Sequence, residues 1–223
     1  MSSDVEYWIY HEQQQAQLCG QHALNNLVQA CVFSAASLAE IAHQLDEMEL
    51  AFMSQNNEGG VRSKDYLNRI AEGSGNVDPS GNFSIQVLRA ALQGRYQLDL
   101  PNIAQQGVAE MGDVTEIEGF ICNRQAHWFA IRKINGRYWN LNSMEKRPKI
   151  ISHFQLAKEI KGLQESGYSV FCVHNGLPPP CSSKAQRDRG LPEYWWKEDD
   201  LVNGRGESAT TGATDPWKDV GSG

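Results

Sequence analysis

The sequence predicts an α+β domain with helices in its first half and an antiparallel sheet in its second. Two observations carry this. Apolar side chains recur at the 3.6-residue period of a helix in Leu24-Leu27-Val28-Cys31, Leu38-Ile41-Ala42-Leu45 and Ile85-Leu88-Ala91-Leu92. The period then changes: two apolar stretches, 127–134 and 137–142, flank Asn135-Gly136, the preferred two-residue type I′ hairpin turn.

Residues 5–12 (Val-Glu-Tyr-Trp-Ile-Tyr-His-Glu) read as an extended lead-in to Gln14, and Cys19 stands where the first helix should begin. Ser34 is placed to cap a second helix. Met48, Leu50, Phe52 and Met53 continue into a second arm that ends near Asn56-Asn57 and Gly59-Gly60, so a helical hairpin is expected over residues 35–70. The stretch 73–81 is dense in turn formers, and Ser84 caps the next helix. Phe120-Ile121-Cys122 and Tyr168–Val173 read as buried strands, with a helix from Ser152 to Ser166 between them. A domain over 5–176 and a C-terminal tail over 177–223 are expected. Pro178-Pro179-Pro180 and the Gly/Ser/Thr-rich residues 203–223 have too little apolar surface to order themselves. Glu193-Tyr194-Trp195-Trp196 interrupts that tail and is expected to dock on the domain, with a short partner motif as the alternative.

At 223 residues and 40% hydrophobic, the chain can build one ordinary core plus a tail. Its net charge of −7, without a dense Lys/Arg cluster, argues against nucleic acid or an anionic membrane as a partner. The start carries acids rather than the basic region and apolar run of a signal peptide. No stretch approaches the apolar length of a membrane span. Five cysteines, an odd number with no Cys-x-x-Cys pair, fit a reduced compartment better than a disulfide framework.

The chemistry begins at Cys19. At a helix start it would lie near unpaired N–H groups and the positive end of the dipole, where a thiol ionises more easily, and the thiolate is the nucleophile. Gln14, upstream, can offer its amide N–H to an oxyanion beside the sulfur. The bland reading of any one cysteine is inert core. The hairpin raises the sharper one. An Asn135-Gly136 turn sets Ile134 opposite Arg137, Phe129 opposite Asn142 and His127 opposite Met144. His127 and Asn142 then point to the same side, with Cα atoms roughly 7–8 Å apart, and the amide can fix the imidazole in one tautomer. If the helix headed by Cys19 packs on that face, the set is Cys-His-Asn, the arrangement of papain-like thiol hydrolases. The competing chemistry is metal: Cys19-x-x-His22 has ligand-like spacing and Cys172 lies near His174, but a structural zinc needs four ligands and no second convincing tight pair is present.

Several longer segments carry a family resemblance. They are His11-Glu12-Gln13-Gln14, Leu18-Cys19-x-Gln21-His22-x-Leu24-Asn25-Asn26-Leu27, Ile41-Ala42-His43-Gln44-Leu45-Asp46, Ser80-Gly81-x-Phe83-Ser84-Ile85-Gln86-Val87, Phe120-Ile121-Cys122-Asn123, His127-Trp128-Phe129 and Asn140-Leu141-Asn142-Ser143. From about His11 to Val173 the chain resembles the Josephin domain of ataxin-3-type deubiquitinases. The resemblance implies a papain-like α+β fold with a central antiparallel sheet, flanking helices and a protruding helical hairpin that gates the cleft. It implies a thiol protease that cleaves after the C-terminal glycine of ubiquitin. Cys19 then matches the nucleophile, His127 the general base and acid, Asn142 the residue that orients it, and Gln14 the oxyanion-hole donor. Ubiquitin contacts fall on Phe33, Ile85 and Gln86, while a tryptophan that joins this patch in the animal proteins is replaced by Arg95. The expected partners are ubiquitin, polyubiquitin chains and ubiquitin–proteasome pathway proteins, with no cofactor, metal, nucleic acid or membrane. The expected location is nucleus and cytoplasm. Two other readings stand beside it: a weak or inactive ubiquitin-binding module, and a hydrolase of a ubiquitin-like modifier.

Overall fold

A computed structural model describes residues 5–14, 17–56, 59–105, 113–183 and 192–205. Its centre is a five-stranded antiparallel sheet. The strands are β2 (Gly119–Arg124), β3 (His127–Ile134), β4 (Arg137–Leu141), β5 (Lys149–Ile151) and β6 (Val170–Val173), in the order β5-β4-β3-β2-β6. Asn135 and Gly136 have φ of 49° and 73°, the two left-handed residues a type I′ turn requires, and Ile134 pairs with Arg137 as the turn dictates. A second two-residue turn joins β2 to β3 through Gln125 and Ala126, at φ of 51° and 62°. Neither is the glycine or asparagine that such a turn favours, so its composition gives no signal.

Alternation splits the sheet into two faces. Ile121, Trp128, Ala130, Trp139 and Leu141 join one core cluster, and Phe120, Cys122, Phe129, Ile131 and Tyr138 join the other. The first face is covered by α1 (Cys19–Val28) and α4 (Ile85–Tyr96), with α2 (Ala35–Asn56) packed beyond them. The second is covered by α5 (His153–Glu165), whose Leu156, Ile160 and Leu163 are buried and whose start is closed by a Ser152–Gln155 capping box. The α1 helix lies against β2 and β3 closely enough that a Cβ added at Gly119 would meet Leu27 Cδ1 at 2.6 Å and Leu177 Cδ1 at 2.9 Å. This α+β layering is the fold the sequence predicts.

The hairpin differs in its arms. α2 runs unbroken from Ala35 to Asn56, and the second arm is α3 (Lys64–Glu72), after a short 3₁₀ turn. Met48 and Phe52 therefore belong to the first arm. Nothing in that stretch breaks a helix, which is why it stays single. Leu38 and Ala42 bury the base of α2, whereas Met48 and Phe52 are exposed and α3 buries no side chain, so the hairpin projects. Asp46 anchors it, accepting from Arg69 Nη2 at 2.7 Å, Ser74 Oγ at 2.5 Å and Asn76 Nδ2 at 2.8 Å.

At the C-terminal end, β7 (Trp195–Lys197) pairs antiparallel with β1 (Trp8–Tyr10), as the expected docking of 193–196 requires. The following α6 (Glu198–Val202) buries Glu198, which accepts from Asn135 Nδ2 at 2.7 Å and Arg137 Nη1 at 3.1 Å. Packing thus continues past the expected boundary at 176. Leu177 and Cys181 are buried too, and the aromatic pair supplies apolar area that the surrounding composition lacks. Of the stretches expected to lack order, 178–180 and 203–205 are placed, with Arg132 Nη2 donating to Pro178 O at 2.8 Å and Arg205 N to Asp200 O at 2.7 Å; the rest, 206–223, lies outside the described residues. Among the described residues no helix is long and apolar enough to cross a membrane.

Candidate active site

Cys19 is the first residue of α1 and is 2% exposed. Its N-cap, Leu18, supplies no side-chain cap. Its sulfur accepts from the Trp128 backbone N–H at 3.4 Å and donates to Asn82 Oδ1 at 3.6 Å. Burial pushes the thiol's pKa up and the Asp78 charge adds to this, against the pull of the backbone N–H groups of Trp128, Gly20 and Cys19 itself. The helix start was expected to ease ionisation; in the resting protein desolvation outweighs it.

The Gln125-Ala126 turn delivers His127 as the first residue of β3. His127 Nε2 lies 2.8 Å from Asn142 Oδ1, and the Met144 backbone N–H donates to the same oxygen at 3.1 Å. A backbone N–H can only donate, so that atom of the amide is the oxygen. The imidazole must then carry its proton on Nε2, which leaves Nδ1 as the basic nitrogen. Phe129 stacks on the ring at 6.4 Å between centroids, with planes 15° apart. Gln14 is tied to the same loop: its backbone N–H donates to Ser143 O at 2.8 Å, and Ser143 Oγ donates to its side-chain oxygen at 3.2 Å.

One geometric expectation is corrected. The helix headed by Cys19 does not pack on the face that carries His127 and Asn142. His127 shares the face of Phe129 and Ile131, under α5, while Cys19 belongs to the opposite cluster with Trp128 and Ala130. The sulfur meets β3 at its end, at the Trp128 backbone N–H one residue after His127, rather than across a sheet face. Neither of the thiol's hydrogen bonds goes to the imidazole.

A buried polar cluster beneath α1 has no counterpart in the sequence reading. The Glu12 carboxylate accepts from Tyr10 Oη at 2.5 Å, from His22 Nδ1 at 2.6 Å and from Asn25 Nδ2 at 3.0 Å. Asn26 Oδ1 accepts from Glu12 N at 2.7 Å, and Asn26 Nδ2 donates to Leu141 O at 3.0 Å. Burial, then Glu12, pushes the Tyr10 hydroxyl's pKa far up, so it stays a neutral donor. These bonds lock the Gln14 lead-in, α1 and the Asn142 end of β4 together. The signal was present as polar Asn25, Asn26 and Gln29 on a helix with an apolar stripe; a helix enclosed on every side buries them as well. His22 is bound within this cluster. Among the described residues no group of three or more potential ligands could hold a metal.

The expected ubiquitin contacts separate into two places. Phe33 is buried, meets Tyr96 edge-on at 6.4 Å, and lines a groove of about 720 Å³ with Ile41, Leu45, Met48 and Arg95. Gln86 is exposed and lines a different hollow of about 320 Å³ with Glu49 and Arg69. Ile85 is partly buried at the first turn of α4. Cys31, read as part of the α1 stripe, lies beyond the helix end and is exposed, because Gln29 turns left-handed at φ 60° and closes α1 at Val28.

A family model described as Josephin matches residues 14–174. The chain is 44% identical over 171 residues to Ataxin-3 of Homo sapiens, covering 76% of this chain and 46% of that protein. It is 44% identical over 172 residues to an Ataxin-3-like protein of Homo sapiens, covering 77% and 47%. It is 35% identical over 195 residues to an Ataxin-3 homolog of Arabidopsis thaliana, covering 86% and 68%. The chain thus spans about half the length of the animal relatives it matches.

Proposed function

The chain belongs to the Josephin family, and from that premise we propose that it is a deubiquitinating cysteine protease. It hydrolyses peptide and isopeptide bonds after the C-terminal glycine of ubiquitin. The observation that carries the reading is the Met144–Asn142–His127 chain, which fixes a basic Nδ1 at the strand end where the Cys19 sulfur meets the Trp128 amide.

In this mechanism the Cys19 proton passes to His127 Nδ1 and the thiolate attacks the glycine carbonyl. The oxyanion is held by the Cys19 backbone N–H and the Gln14 amide; one such donor is typically worth about 2.7–4 kcal/mol. The imidazolium protonates the leaving amine, the C–N bond breaks and a thioester forms. His127 then takes a proton from water, which attacks the thioester and releases the ubiquitin carboxylate and the Cys19 thiol. Asn142 is the orienting residue. Phe33, Ile85 and Gln86 are the ubiquitin contacts, with Arg95 altering the groove that Phe33 lines. The same reading places the protein with polyubiquitin chains in nucleus and cytoplasm.

The test is a panel of linkage-defined ubiquitin chains and C-terminal probes of ubiquitin-like modifiers, with Cys19→Ala as control. Cleavage of ubiquitin chains that Cys19→Ala abolishes supports the reading. Binding without turnover would identify an inactive ubiquitin-binding module, and turnover of another modifier alone would move the substrate class.

A further inference from the structure

We propose that Asn82 is a positioning residue that keeps the Cys19 thiol protonated and turned toward the 74–83 loop until substrate arrives. The inference rests on Cys19 being the nucleophile of the proposed hydrolase.

The orientation of the Asn82 amide is forced. Its Nδ2 donates to Asp78 Oδ2 at 2.9 Å and Ser80 Oγ at 3.0 Å. An ionised carboxylate can only accept, so the nitrogen faces Asp78 and the oxygen faces the sulfur. The loop is held rigidly enough to keep it there. Asp78 Oδ1 also accepts from Ser80 N at 2.8 Å, Ser80 Oγ at 2.5 Å and Asn82 N at 3.0 Å. Those bonds hold the Asp78 carboxyl far below the ordinary carboxylate range, so it stays charged. Trp128 Nε1 ties the loop's far end to β3 by donating to Phe83 O at 3.0 Å.

An acceptor aimed at a thiol stabilises S–H and repels S⁻. The groups around the sulfur divide accordingly. The Asn82 oxygen and the Asp78 charge, both from the loop, favour the thiol; the N–H groups of Cys19 and Gly20 from α1 and of Trp128 from β3 favour the thiolate. His127 precedes Trp128 on β3 and receives the proton when the thiol turns, while His22 on α1 is bonded to Glu12. The transfer moves one proton from Sγ to Nδ1 and breaks no other covalent bond. A thiol held protonated between turnovers also oxidises slowly, since susceptibility follows thiolate character.

The test measures iodoacetamide alkylation of Cys19 in the full chain across about pH 5–10, read by peptide mass, for wild type, Asn82→Ala and Asn82→Asp, with circular dichroism to monitor folding. Asn82→Ala removes the acceptor. Its profile should move down by about one pH unit, and its rate at neutral pH should rise about threefold, the tenfold gain in thiolate being offset by weaker nucleophilicity. Asn82→Asp adds a second carboxylate, so its profile should move up and its rate fall. A merely structural role would move both variants the same way; that outcome, or two unmoved profiles, overturns the proposal. No ubiquitin enters this assay, so a Cys19 that ignores ubiquitin probes would sink the hydrolase reading separately.

Discussion

Replacing Glu12 with alanine removes the carboxylate on which the lead-in strand and α1 converge. The side chain is 4% exposed and holds His22 Nδ1 at 2.6 Å, Tyr10 Oη at 2.5 Å and Asn25 Nδ2 at 3.0 Å. Alanine leaves three buried donors without that acceptor. Breaking a buried pair by removing one partner costs about 3–5 kcal/mol, and bonds to a charged group at about 1.5–3 kcal/mol each, less the relaxation of the freed donors, lead to the same range. In a domain of this size that lowers Tm by about 6–20 °C. Glu12→Gln keeps the volume but turns an amide N–H₂ toward donors, so it should lose about half as much. Urea unfolding followed by tryptophan fluorescence measures both. A Glu12→Ala loss below about 1 kcal/mol would refute the reasoning, because it would mean the cluster is already satisfied by water.

Asn142→Ala removes the acceptor that fixes the Nε2–H tautomer of His127. Single-turnover cleavage at saturating enzyme should slow by at least about tenfold, a part of the roughly 10²–10⁴-fold that general acid–base catalysis supplies; an unchanged rate would contradict the orienting role. Gly119→Ala drives a Cβ against Leu27 and Leu177 and should cost about 1–3 kcal/mol, measured by urea unfolding. Glu198→Ala removes the buried carboxylate that the exposed Asn135 and Arg137 bond; water can replace it for both, so the cost should be at most about 1 kcal/mol, measured by urea unfolding, with faster amide exchange in Trp8–Tyr10, the strand that β7 pairs with. Acidification should loosen the hairpin. Burial alone would raise the Asp46 carboxyl, but bonds from Ser74, Asn76, Gly75 and Arg69 hold it below its ordinary range. A folded-state pKa below the unfolded one gives stability that is present above about pH 4 and is lost as pH falls through the depressed value. Asp46→Asn should therefore flatten the acid limb of the stability profile.

The Asn135-Gly136 turn explains why the His127–Asn142 pairing could be read from sequence. Two left-handed residues fix one register, and register fixes which side chains share a face. The helix caps at Ser34, Ser84 and Ser152 were equally local, each serine accepting from the backbone N–H three residues on. What the sequence does not show depends on distant contacts. The face on which α1 packs is decided by the close approach at Gly119, which periodicity does not record. Asn82 sits in a turn-rich loop whose composition predicts bends but not where the amide points. Glu12 read as part of an extended lead-in because only the fold encloses it with His22 and Asn25. The left-handed Gln125-Ala126 turn, which sets His127 at the head of β3, breaks the composition rule and so was silent.

Ubiquitin carrying an electrophile in place of its C-terminal carboxylate, incubated with the protein and weighed, asks most directly whether Cys19 is the attacking atom. A single covalent adduct is expected on the Cys19 peptide, lost in Cys19→Ala and slowed in His127→Ala. An adduct that persists in Cys19→Ala, or none at all on a folded wild-type chain, would contradict it.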